Sequence, residues 1–302
     1  MPASSINDAP LTVESSTSAL QNWEPKNSDG KFDGLLTLRQ ALARSRNLVS
    51  IRLVQMMGVG PAREWVARFG FDADQQPDNL TLALGAGSVT PMQMARGYAV
   101  FANGGYKVEP RLIDRITDSQ DKVLFEAPPV KLAETMRAIP ARNAFITNTL
   151  LQEVTRSGTA AAAQAQLNRT DIFGKTGTTN EAVDAWFAGF QPSLVAVVWI
   201  GYDSPRSLGE SESGGRLALP VWIEYMKKSL QEVAEQTLEP PKDVTQVEGE
   251  WFYAERAAGD YLTRLGFDEK PKAQPEPSDT PSAPSVNTGH PSLPGSSAEI
   301  NR

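Results

Sequence analysis

The sequence has no cysteine and a single histidine among its 302 residues. Without cysteine, disulfides, zinc–thiolate sites and thiol nucleophiles are excluded. The histidine, His290, lies among proline, serine and glycine residues, so catalysis by a histidine base and a histidine-rich metal site are excluded as well. We therefore expect neither a metal nor a cofactor. Covalent catalysis would need serine or threonine activated by lysine, or paired carboxylates.

The sequence also lacks a basic block and a long apolar run. Its 29 basic and 36 acidic side chains give a net charge of −7, so no nucleic-acid partner is expected. No apolar stretch approaches the roughly 18 residues of a membrane span. Residues 1–10 have neither a basic start nor an apolar core, so we expect no signal peptide and no anchor in this chain.

Apolar periodicity predicts a mostly helical region from about residue 37 to 105. Ser45-Arg46-Asn47 interrupts this region with residues that favour caps and turns. Thr90 and Pro91 predict the N-cap and first turn of a later helix, which Asn103-Gly104-Gly105 should end.

The second half of the chain combines strands with helices. A hairpin turn is predicted at 118–121 between extended residues 106–116 and 123–125, and strands at 186–190 and 194–202. Helices are predicted at about 143–155 and 220–233. This order indicates an α+β fold in which strands joined by short turns pair antiparallel.

The most informative segment is Lys175-Thr176-Gly177-Thr178, which we expect on an accessible edge strand where the glycine admits a ligand backbone. A polar strand end with a glycine bulge is the simplest alternative. Gly174-Lys175-Thr176 also matches the end of a phosphate loop, but that motif needs glycine where this chain has Arg169, and a helix after the threonine.

Two Ser-x-x-Lys sequences could in principle supply a serine nucleophile activated by lysine, starting at Ser28 and at Ser119. Each contains aspartate beside glycine or at a predicted turn, in solvent, where helix is disfavoured and lysine stays protonated. Neither is expected to be the nucleophile. Ser45-x-Asn47 differs from the other Ser-x-Asn matches because it separates two core-forming helices; helix capping is its simplest alternative role.

Several short motifs of this sequence, in the same order, resemble the C-terminal part of the transpeptidase domain of bifunctional class A penicillin-binding proteins, the peptidoglycan synthases. The resemblance extends from residue 2 to about 245. It is carried by residues 2–10, Trp23-Glu24-Pro25-Lys26-Asn27, residues 38–47, 82–85, 90–92 and 98–105, the Lys-Thr-Gly run and residues 198–203. It implies a penicillin-binding/β-lactamase-like fold, an antiparallel sheet with a helical subdomain.

In the family, the nucleophilic serine and its lysine precede the segment that resembles residues 2–10. The resemblance therefore implies that this chain is truncated after that motif, lacks the N-terminal part of the fold and is inactive in isolation. We expect a partial transpeptidase domain at 1–235, an extension at 236–267 and a disordered Pro/Ser-rich tail at 268–302. The parent protein would act at the periplasmic face of the bacterial inner membrane.

The resemblance also implies roles for the residues that are present. Lys175 would orient Ser45, Ser45 would relay a proton to the departing amine, and Asn47 would bind the substrate amide. Thr176 and Thr178 would hold the substrate carboxylate while Gly177 admits the substrate strand. The expected partners are peptidoglycan stem peptides ending in D-Ala-D-Ala, and β-lactams.

Three alternatives remain open at this point. A β-lactamase-like hydrolase shares the motifs but needs a positioned carboxylate for deacylation. A non-catalytic remnant that binds peptidoglycan or a protein partner would follow from a missing nucleophile. A carboxylate-pair hydrolase has the least support, since no pairing of acidic residues is evident.

Overall fold

The computed structural model of the protein describes residues 1–14 and 22–266. The tail expected to be disordered, 268–302, lies outside the described residues. The strands are β1 (Ser5–Asp8), β2 (Gly34–Thr37), β3 (Arg115–Thr117), β4 (Val123–Glu126), β5 (Phe173–Thr178), β6 (Ala185–Gln191), β7 (Leu194–Ile200), β8 (Val244–Val247), β9 (Glu250–Tyr253) and β10 (Arg264–Leu265). The α-helices are α1 (Leu38–Ala43), α2 (Asn47–Met57), α3 (Val59–Ala67), α4 (Pro91–Ala102), α5 (Ala141–Arg156), α6 (Ala162–Leu167) and α7 (Ala218–Ser229).

An antiparallel sheet in the order β5-β6-β7 carries the Lys-Thr-Gly strand at its edge. Lys175 of β5 lies opposite Ala188 of β6, and Gly177 lies opposite Trp186. Strand β6 is apolar and almost wholly buried along its length, as expected for a central strand covered by helices on both faces. The predicted α+β class, with strands paired antiparallel, is confirmed.

Aromatic side chains on the two faces of β6 bind the sheet to its helices. On one face, Trp222 of α7 is fully buried and meets the Phe187 ring at 4.8 Å, while its indole N–H donates to the Ala196 carbonyl at 3.0 Å. On the other face, Phe190 stacks on Phe173 of β5 with ring centroids 5.0 Å apart, and the two rings form an apolar cluster with Leu151 of α5. Burying each such side chain contributes roughly 1.5–3 kcal/mol. The sheet that carries the motif is therefore anchored on both sides.

Helix α4 has the predicted ends. Thr90 accepts a hydrogen bond from the backbone N–H of Gln93, and the Gln93 side chain accepts from the Thr90 N–H. This capping box satisfies two N–H groups that the helix leaves unpaired. At the other end, Gly104 and Gly105 have positive φ angles, which glycine adopts without strain.

Two predicted elements differ from the structure in extent. The helix expected at 220–233 spans Ala218–Ser229, because Ala218 and Leu219 both donate to the Gly214 carbonyl and so begin the helix earlier. The extended run expected at 106–116 forms a strand at Arg115–Thr117, joined to residue 106 by a segment that contains Pro110, which cannot donate to a strand ladder. The hairpin turn at 118–121 is confirmed.

Residues 236–266 pack on the rest of the fold. Trp251 of β9 meets Phe145 of α5 edge-on at 5.0 Å, and the Tyr253 hydroxyl donates to the Asn143 side chain at 2.9 Å. Strand β10 pairs in parallel with β1. The domain boundary expected at residue 235 stays a prediction. Across residues 1–14 and 22–266, no helix has the length and apolar content needed to cross a bilayer.

Candidate active site

The side chains of Ser45 and Lys175 meet although they are 130 residues apart in the sequence. The Lys175 Nζ donates to the Ser45 hydroxyl at 2.8 Å and to the Thr176 carbonyl at 3.1 Å. Lys175 projects from β5, and Ser45 lies in the loop between α1 and α2. The structure therefore brings the Lys175 ammonium to the Ser45 hydroxyl, as the resemblance implied.

Burial lowers the pKa of Lys175 from its ordinary value of 10.5 to about 8. A buried ammonium loses hydration that its few hydrogen bonds replace only in part. With that pKa, roughly a tenth of the side chains would be neutral at pH 7. Lys175 therefore gives up its proton more readily than an exposed lysine does.

Ser45 has a left-handed backbone, with φ of 56°. It follows the C-cap of α1, Arg44, and its N–H donates to the Leu42 carbonyl at 3.0 Å. The next N–H, of Arg46, donates to the Ala41 carbonyl at 2.9 Å. These two bonds form a Schellman motif, in which glycine usually takes the position that Ser45 has here. A side chain at this position costs about 1–2 kcal/mol.

Asn47 begins α2 beside Ser45, and its side-chain N–H donates to the Lys26 carbonyl at 2.9 Å. The Trp-x-Pro-Lys-Asn segment is thereby tied to the Ser-x-Asn segment. Both segments line the same cleft, so two motifs that are separated in the sequence form one wall of it.

The threonines of the motif strand hydrogen-bond to the segments that flank them. The Thr176 and Thr159 hydroxyls are 2.8 Å apart, and the Thr178 hydroxyl accepts from the Gly214 N–H at 3.0 Å. A β-carbon on Gly214 would lie 2.4 Å from the Gly177 carbonyl oxygen, so only glycine permits this approach. Sequence reasoning missed Thr159 and Gly214, since neither belongs to the short motifs.

These elements enclose an open cleft of about 1300 Å³. Hydroxyl, amide and charged side chains line it, which suits a polar, extended ligand. The lining residues include Trp23, Glu24, Lys26, Asn27, Ser28, Ser45, Asn47, Thr159, Thr176, Thr178, Glu181, Glu210, Glu212 and Arg216.

Neither Ser-x-x-Lys sequence lies on a helix. Ser28 begins a turn at the edge of the cleft, and Ser119 lies in the turn between β3 and β4. All four serine and lysine residues of these sequences are exposed. The phosphate-loop alternative also fails, since Lys175 and Thr176 lie within β5 and not in a loop that opens a helix.

Residues 1–221 match the family described as the penicillin binding protein transpeptidase domain. This chain belongs to that family. The predicted resemblance is confirmed, and the Lys-Thr-Gly strand lies inside the matched part of the transpeptidase domain.

Penicillin-binding proteins 1A are among the relatives of this transpeptidase domain. That of Neisseria flavescens is 46% identical over 83% of this chain, and that of Pseudomonas aeruginosa is 39% identical over 79%. The chain spans 32% of the length of the first and 34% of the second.

Solved structures show the same fold. Penicillin-binding protein 1A from Haemophilus influenzae superposes with a TM-score of 0.76 at 35% identity, over 81% of this chain and 41% of that chain. PonA1 from Mycobacterium tuberculosis, in complex with penicillin V, superposes with a TM-score of 0.62 at 24% identity, over 81% of this chain and 67% of that chain. The second likeness supports the fold alone.

Proposed function

We propose that the cleft is part of the acyl-transfer site of a serine-type D-Ala-D-Ala transpeptidase, whose parent protein cross-links peptidoglycan stem peptides and is acylated by β-lactams, and that this chain alone is inactive. The observation that carries this proposal is the 2.8 Å hydrogen bond from Lys175 to Ser45 in a polar cleft beside the edge strand β5. The pKa of Lys175, about 8, suits proton exchange with a hydroxyl near neutral pH. The parent protein would act at the periplasmic face of the inner membrane.

In this reaction a serine hydroxyl of the parent protein attacks the carbonyl carbon of the penultimate D-alanine, its proton replenishes the relay of Ser45 and Lys175, and the C–N bond to the terminal D-alanine breaks. The departing amine takes a proton relayed through Ser45 from Lys175. The amine of a second stem peptide then attacks the ester, releases the serine and forms the cross-link. Asn47 binds the peptide amide beside the reacting carbonyl.

The edge strand binds the substrate in this proposal. The Thr176 and Thr178 hydroxyls hold the terminal carboxylate, and the Thr178 N–H stabilises the developing oxyanion, a donor type worth roughly 3 kcal/mol in hydrolases. Gly177 has no side chain, so the extended peptide can run along β5. Neither Ser-x-x-Lys sequence supplies the nucleophile in this proposal, because both lie in exposed turns.

The first test is the intact mass of the purified chain before and after exposure to a penicillin. We expect no covalent adduct. A stable adduct, mapped by peptide mass, would contradict the absence of a nucleophile and identify it; Ser28→Ala and Ser45→Ala are the matched variants. Turnover of the penicillin without a stable adduct would instead favour a β-lactamase-like hydrolase.

The second test measures binding without chemistry. An N-acetylated D-Ala-D-Ala peptide should shift the NMR signals of Thr176 and Thr178, and Thr178→Val should weaken this binding. Thr117→Val, on the exposed strand β3, is the control. No peptide binding together with no adduct would refute the proposed function for this chain and leave a partner-binding remnant.

A further inference from the structure

The left-handed backbone conformation of Ser45 is unfavourable for a residue with a side chain, so contacts elsewhere must stabilise it. In a Schellman motif the residue after the left-handed position commonly makes a hydrophobic contact with the helix, which secures the turn. Here that residue is Arg46, so the usual apolar contact is replaced by a charged side chain.

Arg46 is anchored by a carboxylate cluster, which we define as Asp8, Asp29 and Asp33. Its Nε lies 2.7 Å from Asp33 and 3.7 Å from Asp8, and its Nη1 lies 2.9 Å from both oxygens of Asp29. The Arg46 side chain is 11% exposed; its pair with fully buried Asp8 is shielded from water, whereas Asp29, 44% exposed, is not. Planar guanidinium groups suit such multiple contacts with carboxylates.

Asp8 connects this cluster to the cleft wall. It is fully buried, and Asn27 Nδ2 contacts both of its oxygens at 2.9 Å. The backbone N–H of Asp33 also donates to it at 2.9 Å. Asn27 directly follows Lys26, whose carbonyl binds the Asn47 side chain. This polar network therefore links Arg46 to the segment that binds the Asn47 side chain.

We propose that Arg46, anchored by the carboxylate cluster, is the positioning residue that holds Ser45 and Asn47 in the cleft. Its side chain points away from the cleft while its two neighbours face it. Removing Arg46 would leave buried Asp8 without its cation and release the left-handed turn. This inference rests on the proposed function, which gives Ser45 and Asn47 their roles.

The test compares Arg46→Met with Arg44→Met. Arg44 is the matched control, because it also pairs with Asp33, at 3.2 Å, but its side chain is 54% exposed. Both variants lose one positive charge from the same loop. The readout is the pKa of Lys175, followed by NMR on protein labelled at lysine Cε, with Lys175→Arg to assign the signal.

We expect the pKa of Lys175 to stay near its wild-type value in Arg44→Met. In Arg46→Met it should rise by at least about one unit towards 10.5, because Ser45 moves away from Nζ and water enters. Arg46→Lys should give an intermediate value. A lower melting temperature with an unchanged Lys175 pKa would overturn the proposal, since the cluster would then only stabilise the fold.

Asp29→Asn keeps the proposal testable if Arg46→Met does not fold. Asp29 is 44% exposed, so its loss removes one anchor without burying a new uncompensated charge. The Lys175 pKa should rise by less than in Arg46→Met, and no rise would contradict the proposal. This experiment needs neither penicillin nor peptide, so its failure is distinct from failure of the proposed function.

Discussion

Replacing Lys175 with methionine should make the protein more stable at neutral pH. Methionine fills a similar volume and needs no hydration. The buried ammonium is unfavourable in the folded state, which is why the pKa falls from 10.5 to about 8. Each unit of pKa difference corresponds to about 1.4 kcal/mol, so the lowering of the Lys175 pKa corresponds to about 3 kcal/mol. This value is an upper limit, because part of Lys175 remains exposed and water screens its charge.

The sign of the effect follows from proton binding. Below about pH 8 Lys175 is protonated in both the folded and the unfolded chain, and the folded state bears the whole cost of burial. Between pH 8 and 10.5 the folded state loses this proton while the unfolded state keeps it, so the free energy of unfolding contributed by Lys175 rises with pH. Methionine does not titrate, so its contribution to the free energy of unfolding does not change with pH.

The prediction therefore concerns a difference between two proteins. The free energy of unfolding of Lys175→Met minus that of the wild type should fall by about 1–3 kcal/mol between pH 7 and 10. Loss of the hydrogen bonds to Ser45 and the Thr176 carbonyl shifts the difference by a constant of about 1–2 kcal/mol. Taking the difference cancels other groups that titrate, such as Tyr98, whose pKa burial raises.

The assay is urea unfolding followed by tryptophan fluorescence at several pH values. Lys227→Met, on the exposed surface of α7, controls for the loss of a surface lysine. A difference between Lys175→Met and the wild type that stays constant within about 0.5 kcal/mol from pH 7 to 10 would refute the assignment of Lys175 as a desolvated lysine.

Two further substitutions probe the turn beside the cleft. Gly158→Ala should destabilise the fold by about 1–3 kcal/mol in thermal unfolding, because the new β-carbon would lie 2.3 Å from the Ala43 carbonyl oxygen. Gly60→Ala is the control, because the new β-carbon has open space around it and should not destabilise the fold. Ser45→Gly should be about 1 kcal/mol more stable than Ser45→Ala. Both variants lose the hydroxyl that binds Lys175, but only alanine keeps a side chain at the left-handed position. Equal stabilities of the two variants would contradict a strained turn at residue 45.

Local signals in the sequence were sufficient to find the elements that carry the site. Thr90 and Pro91 predict the start of α4 because capping and the φ angle of proline are properties of a few adjacent residues. Alternating and continuous apolar runs predict β6 and β7 in the same way. The motifs around Ser45 and Lys175 identify the family, because several short phrases occur in the family's order.

Tertiary packing decided the rest. Nothing near Arg46 in the sequence shows that Asp8 and Asp29, from separate segments, would meet its guanidinium. The pKa of Lys175 depends on burial, which is set by the elements that fold over β5 and not by the residues beside it. Cap and strand signals are short-range, whereas desolvation and ion pairing depend on which distant segments are brought together in three dimensions.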